Sequence, residues 1–435
     1  MVLFHNVASH SSTIYYIVSQ IENNPIANDP FASLRYREFR NYAIARFFFI
    51  FTLNMQITLI YWKVYEITKK EFSIGLIGLI EFIPAFCLAF YSGYLIDKAD
   101  KRTLLLRSIV GNVVCTAALC FVTSAYALQQ FSANTNLLII YAIVFCIGLL
   151  RPFSGPTSFA LLTQLVPKEI ITNATTWHTG IWQVGAVAGP AVGGILYASV
   201  GITNTFYLML LFLSVAVAGM YFIEKKPILN KERNETIVES VVKGFKFVWR
   251  TKEVLGAISL DLFAVLFGGA VALLPAYADK ILHVGAKGLG MLRSAPALGA
   301  VLVLLLLTFQ PLKKKQGIIM LWCVAGFGIC TIVFGLSQFF WLSLGMLFLA
   351  GALDGISVIV RSTILQLKTP DDMRGRVAAV SSIFIMSSNE LGAFESGITA
   401  NWLGLVPAVV AGGCLTIAVV AFTFIKAPSL RKLEY

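Results

Sequence analysis

Nine ionisable side chains fall inside stretches that are otherwise apolar: Arg46, Glu81, Arg151, Asp261, Arg293, Asp354, Arg361, Glu390 and Glu395. A charge among Leu, Val and Phe either binds an opposite charge, holds a proton that burial favours, or meets water or a ligand's polar group. Glu81 and Asp261 have no basic residue three or four positions away. No neighbour on the same helix holds their charge, so they lead the candidates for proton exchange. Glu390 and Glu395 follow, on a segment where Ser381, Ser388 and Glu395 recur every seven positions and Gly392 and Thr399 extend the face. Such a stripe suits a water-lined cavity or hydrogen bonds between helices. Asp354 and Arg361 share a face but lie about two turns apart, too far for a direct bond. Each therefore needs a partner on another helix. A second set is polar and aromatic. Asn54, Thr58, Tyr61 and Tyr65 follow i, i+4, i+7, i+11, and with Arg46, Trp182, Gln183 and Asn389 they are candidates to line a cavity for an amphipathic or aromatic molecule. Snorkelling to a membrane surface is the alternative for Arg46, Arg151 and Arg293, and interfacial anchoring suits Trp62 and Trp402.

The elements that must carry these residues are lipid-solvated helices. The 435 residues are 57% hydrophobic and 13% charged, with a mean hydropathy of +0.79. A soluble chain carries about 25% charged residues. This composition excludes a soluble enzyme, a nucleic-acid-binding domain and a disordered protein. A membrane crossing needs about 20 apolar residues, and that length predicts twelve spans: 41–65, 74–96, 103–124, 137–159, 171–199, 204–223, 254–279, 287–308, 317–336, 340–365, 376–402 and 405–425. The expected organisation is a polar tail (1–40), a six-helix unit (41–223), a basic linker (224–253), a second six-helix unit (254–425) and a short tail (426–435). With the N-terminus inside, 24 basic residues fall in inside segments and four (Lys69, Lys70, Lys280, Lys287) outside. That asymmetry predicts both termini in the cytoplasm. The seven cysteines lie in apolar runs without a CxxC pair, a pattern of packing residues rather than disulfides or metal ligands.

The halves repeat. A shift of 212 residues places Tyr65 on Tyr277, Gly78 on Gly290, Pro84 on Pro296, and Glu81 on Arg293. A shift of 203 places Gly148 on Gly351, Pro167 on Pro370, and Arg151 on Asp354. Coinciding prolines are hard to obtain by chance, and the pattern predicts a parallel duplication of six helices. If pseudo-twofold symmetry brings equivalent positions together, Arg151 faces Asp354 and Glu81 faces Arg293 across the halves, as moving or static ion pairs.

Three local strings add detail. Gly93-Tyr94-Leu95-Ile96-Asp97-Lys98-Ala99-Asp100-Lys101-Arg102 follows the second span, where Asp97 can accept bonds from exposed N–H groups of a neighbouring helix. An ordinary basic loop also explains Lys98, Lys101 and Arg102. In the fifth span, Gly185, Gly189, Pro190, Gly193 and Gly194 permit close helix approach and a bend. After the tenth, Leu365-Gln366 leads to Pro370, Asp371, Asp372, Arg374, Gly375, Arg376 and Val377. There Pro370 ends the helix, the acids can cap the next, and Arg374 and Arg376 sit at the headgroups.

These strings resemble signatures of the major facilitator superfamily. The first is similar to G-x-L-x-D-R-x-G-R-[KR], departing at Asp100, where the family has Gly. The second is similar to the antiporter motif of its exporters, with Thr176 where an upstream Gly stands. The third resembles the branch containing the enterobactin exporter and macrolide efflux proteins. The resemblance implies an all-α membrane fold of twelve helices in two six-helix bundles around a central cavity. It implies secondary transport by alternating access, with no cofactor and a proton gradient as energy source. It further implies export of a siderophore-like or drug-like amphipathic small molecule from a bacterial inner membrane. The partners are then that molecule and lipid, without nucleic acid, and the chain is a monomer. A lysophospholipid translocator or an uncoupled facilitator is the alternative. A membrane-embedded enzyme is disfavoured, because His5, His10, His178 and His283 are scattered, and ATP hydrolysis is disfavoured, because no GxxxxGK[ST] occurs.

Overall fold

A computed structural model describes residues 29–227, 237–310, 315–370 and 373–431, without the side chains of Phe90, Tyr94, Asp97, Ile237, Val238 and Ser240. The polar tail over most of its length, the side chain of Asp97 and the Asp371–Asp372 pair therefore lie outside the described residues. Among those described, there are twelve helices long and apolar enough to cross a membrane, and no strand. Span 1 is Arg37–Thr68, span 2 Glu71–Lys98, span 3 Lys101–Val122, span 4 Ala133–Leu162, span 5 Ile171–Val200 and span 6 Ile202–Tyr221. Span 7 is Lys252–Lys280, followed by Gly285–Phe309, Gln316–Leu336, Phe340–Lys368, Arg374–Leu403 and Leu405–Lys426 as spans 8 to 12. Each matches one expected segment to within a few residues. An even number of crossings puts Arg37 and Lys426 at one end of the molecule, here the terminal end; the other is the far end.

Besides the four-residue turn Pro428–Arg431, two α-helices among the described residues escaped the hydropathy reading. Ala125–Gln130 is a single capped turn between spans 3 and 4, Ser124 accepting from the N–H of Ala127. Ile237–Arg250 lies in the basic linker. Its Gly244 sits so close to the Arg376 carbonyl that a methyl there would stand 2.9 Å from it. Span 7 is also interrupted. Its helix stops at Gly268, a 3-10 turn covers Ala270–Leu273, and helix resumes at Leu274–Lys280 with Pro275 in its first turn. Proline there has no N–H to waste.

Packing repeats between the halves. Span 1 lies on spans 5 and 6, span 2 on 4, and span 3 on 4 and 6; correspondingly span 7 lies on 11 and 12, span 8 on 10, and span 9 on 10 and 12. The principal contacts between halves are span 2 on 11 and its equivalent, span 8 on 5. The expected duplication is visible at atomic detail: a methyl on Gly148 would strike Pro84, and a methyl on the equivalent Gly351 would strike the equivalent Pro296. Spans 3, 6, 9 and 12 present large apolar side chains outward, among them Val114, Leu211, Trp322 and Phe422. That outer face suits acyl chains. The expectation for Trp62 is corrected: it is 8% exposed and packs edge-on against Tyr197. Trp402, at 79%, is exposed.

Candidate functional site

At the far end the halves are sealed by backbone-close contacts. A methyl on Gly75 would stand 2.9 Å from Gly397 Cα, and one on Gly78 2.5 Å from the Glu390 carbonyl oxygen. Across the other seam, a methyl on Gly194 would stand 2.5 Å from the Ala286 carbonyl and one on Gly290 2.5 Å from that of Pro190. Only glycine lets helices come so near. The span 5 motif thus divides its work. Gly185 and Gly189 seat span 5 on Ile50, Phe51 and Asn54 of span 1, Gly193 meets Met55, and Gly194 reaches across to span 8. Two ion pairs close the same end, Lys69–Asp279 at 2.8 Å and Lys280–Glu71 at 2.6 Å. Both ammonium groups lie over the Tyr65 ring, at 5.1 and 5.9 Å from its centre.

Below that seal, at mid-span between the halves, is a cavity of about 570 Å³, within the usual range of ligand pockets, about 300–1,000 Å³. Toward the terminal end, Gly155 and Gly180 have open space where a Cβ would stand. With the far end shut, the exposure of Arg151, Trp182 and Asn389 comes from the terminal end. The lining is mixed. Tyr61, Trp182, Phe327 and Phe334 supply aromatic surface, Asn54, Gln56, Asn112, Ser154, Thr331 and Asn389 supply polar groups, and Glu81, Arg151, Arg293, Asp354 and Glu390 supply charge.

The charges are arranged as a chain. Arg151 Nη1 donates to Glu81 Oε1 at 2.6 Å and also to Glu390 Oε1. Glu81 belongs to the same half and Glu390 to the other, so one guanidinium ties the two bundles. Arg293 lies over the Tyr61 ring of the opposite half, 4.7 Å from its centre, a cation–π contact. Its Nη1 has no hydrogen-bond partner among the described residues. Asp354 lines the cavity half-buried.

These positions correct several expectations. Arg151 does not meet Asp354, nor Glu81 Arg293. Equivalent positions in parallel repeats lie on opposite sides of the pseudo-axis, and the partners at bonding distance come from the crossing helices 2 and 11. Glu81 and Asp261 have no base on their own helix, yet both are ion-paired, Asp261 with Arg361 of span 10. That second pair is buried, 7% and 9% exposed, within the C-terminal half, and is not part of the cavity wall. Glu395 also stays out of the wall and accepts from Thr399 Oγ1 at 2.8 Å. The serine stripe serves packing: Ser388 donates to its own helix at Ile385, and Gly392 meets Val265 and Leu266.

Of the proposed lining residues, Asn54, Tyr61, Trp182 and Asn389 face the cavity, whereas Arg46, Thr58 and Gln183 do not. Arg46 is buried at the terminal end, donating to Ser158 Oγ at 2.7 Å and the His178 carbonyl at 3.2 Å, beside Tyr42. It does not snorkel. Thr58 bonds the Asn54 carbonyl of its own helix. Gln56 and Asn112 were missed. Each is an amide at mid-span, and both leave buried polar atoms without a partner among the described residues. The signal was available, since an amide in hydrocarbon needs a reason.

At the terminal end, Arg102 pairs with no acid among the described side chains. It donates to the carbonyls of Met220 and Tyr221, the unsatisfied C-terminus of span 6. The helix N-cap is Asp100, which accepts from the N–H groups of Arg102, Thr103 and Lys226. The departure from the signature glycine is therefore a substitute cap. Arg376 lies against Met373 Sδ. Arg374 begins span 11.

Comparison with known proteins agrees with this architecture. The model of the Major Facilitator Superfamily matches residues 42–394. The enterobactin exporter EntS of Escherichia coli O1:K1 / APEC is 25% identical over 362 residues, 82% of this chain and 83% of that protein. The enterobactin exporter EntS of Citrobacter koseri is 24% identical over 387 residues, 87% and 89%. Among solved structures, a POT family transporter in complex with 5-aminolevulinic acid superimposes with a TM-score of 0.68 at 12% identity, over 91% of this chain and 97% of that one. Another, in complex with thioalcohol conjugated peptide, gives 0.69 at 12% identity, over 91% and 97%. With a twelve-span duplicated fold around a central cavity and a family match across most of its length, this chain is a multi-pass membrane transporter that belongs to the Major Facilitator Superfamily.

Proposed function

We propose that this transporter exports an amphipathic, siderophore-like small molecule from a bacterial cytoplasm across the inner membrane, driven by proton entry. The observation that carries the reading is the cavity at the seam. It offers aromatic surface for an apolar body, amides and charges for polar groups, and among the described residues the backbone-close glycine contacts that seal it lie at the far end. A cavity open to one side at a time is what alternating access requires. The similarity to enterobactin exporters supports export and a siderophore-like substrate class. The basic excess at the terminal end supports termini in the cytoplasm, so the cavity opens inward, ready to load cargo.

Proton coupling rests on the triad. Two carboxylates, Glu81 and Glu390, share one guanidinium. When the far end opens, Glu390 must leave Arg151, because its helix moves with the other half. A carboxylate stripped of its partner in a low dielectric takes a proton. The chain is proposed to act as a monomer without a cofactor.

Proteoliposomes of purified protein, loaded with a siderophore such as enterobactin and given an imposed proton gradient, are expected to release it. A protonophore abolishes the release, and Glu390→Gln uncouples it. Release indifferent to the gradient removes the coupling. No release of siderophore, with movement of another amphiphile, removes the substrate class.

A further inference from the structure

The duplication places charges of opposite sign on one scaffold. In the N-terminal half, Glu81 stands one turn before Pro84 in span 2 and Arg151 one turn after Gly148 in span 4, where that proline and glycine touch. In the C-terminal half, Arg293 stands one turn before Pro296 in span 8 and Asp354 one turn after Gly351 in span 10, where the equivalent proline and glycine touch. The crossing is the same and the signs are exchanged. Yet Glu81 and Arg151 are bonded at 2.6 Å, while Arg293 is turned onto Tyr61 of the opposite half with Nη1 unpartnered among the described residues. Asp354 lines the same cavity. What holds Arg293 away lies across the seam: the Tyr61 face and the Glu81 carboxylate, which line the same cavity.

We infer that Arg293 and Asp354 form an alternate ion pair, open in this state and closed when the far end opens. The inference rests on rocking of the two halves as bodies. Opening the far end draws Tyr61 and Glu81 away from span 8 and removes the contact that now holds the guanidinium. Spans 8 and 10 stay packed, as spans 2 and 4 do, and Arg293 falls to the acid that its own half supplies. Loss of Arg151–Glu390 and Arg293–Tyr61 is thus offset by a new pair within one half. The two end states become closer in free energy than the contacts of either alone suggest. Glu390 is the rival partner for Arg293, since it too belongs to the C-terminal half.

The test needs neither substrate nor proton gradient, so its failure is separable from failure of the proposed export. Spin labels at Tyr126 and Trp402, exposed far-end sites in opposite halves, are placed in a cysteine-free chain reconstituted in nanodiscs. Glu71→Gln and Asp279→Asn serve as background, to raise the far-end-open population. Pulsed electron spin resonance then reads the ratio of open to closed distances. Asp354→Asn is expected to lower that ratio about three- to tenfold, the size of a partly buried ion pair, and Arg293→Gln to lower it less, because it also removes the Tyr61 contact of the closed state. The double variant should lower it no further, and Arg293→Asp with Asp354→Arg should recover it. Additive single effects, no effect of either, or a single closed population in the background would overturn the pair. So would coupling of Arg293 to Glu390→Gln in place of Asp354→Asn. Where the swapped variant fails to fold, the cycle of near-isosteric Gln and Asn variants still decides.

Discussion

At the residue scale, the buried charges divide by what surrounds them. Arg151 is 41% exposed to the cavity although both its acids are buried; it can be reached by water and exchanged between partners. Arg361 and Asp261 are shut in the C-terminal half at 7% and 9% exposure, and serve as a strut. Removing one partner of a buried pair leaves an uncompensated charge, costing about 3–5 kcal/mol. Arg361→Gln is therefore expected to lower the melting temperature of the detergent-solubilised protein markedly, and adding Asp261→Asn to recover most of the loss. A double variant no more stable than Arg361→Gln alone would assign the pair a different role. The acids and arginines themselves were legible in the sequence because charge in hydrocarbon is rare and costly. Their partners were not. Helix periodicity orders residues along one rod, whereas Asp261 finds Arg361 exactly 100 positions later.

At the element scale, caps and close approaches decide how the helices end and meet. Burial acts to raise the Asp100 carboxyl, but the Thr103 hydroxyl and the backbone N–H groups of Lys226, Thr103 and Arg102 outweigh it and hold the group below its ordinary value of 3.8. A depressed value in the folded state means that Asp100 stabilises above about pH 3.8, and that this contribution fades as pH falls through the lower folded value. Melting curves between pH 6 and 3 should show Asp100→Asn less stable than wild type at the upper end. The difference should shrink on acidification; a constant difference would show that the cap does not depend on charge. The loop motif was legible as a basic connection with an acid where the family has glycine, and only the structure showed that this acid, Asp100, caps the next helix. The linker helix Ile237–Arg250 was hidden because it spans only 14 residues, too few to read as a crossing.

At the scale of the molecule, the far end is a latch of modest strength. Lys69 and Lys280 are 56% and 43% exposed, and ion pairs so open contribute about 0–1 kcal/mol each. Glu71→Gln with Asp279→Asn is expected to raise the far-end-open population about two- to tenfold, read by labelling of a far-end cysteine with a membrane-impermeant thiol reagent. Unchanged labelling would leave the glycine seams as the sole closure. Those lysines entered the sequence reading only as a charge count, although Glu71 and Asp279 beside them were in plain view. The sequence by itself determined twelve crossings, their alternation, the duplication and the family, because the hydrocarbon core imposes a length, a composition and a charge bias that any spanning chain must satisfy. Only the tertiary structure decided which charges meet, which polar residues face the cavity and which end is shut. Those depend on how six-helix units cross, and the crossing is set by packing between residues hundreds of positions apart, which leaves no period in the chain.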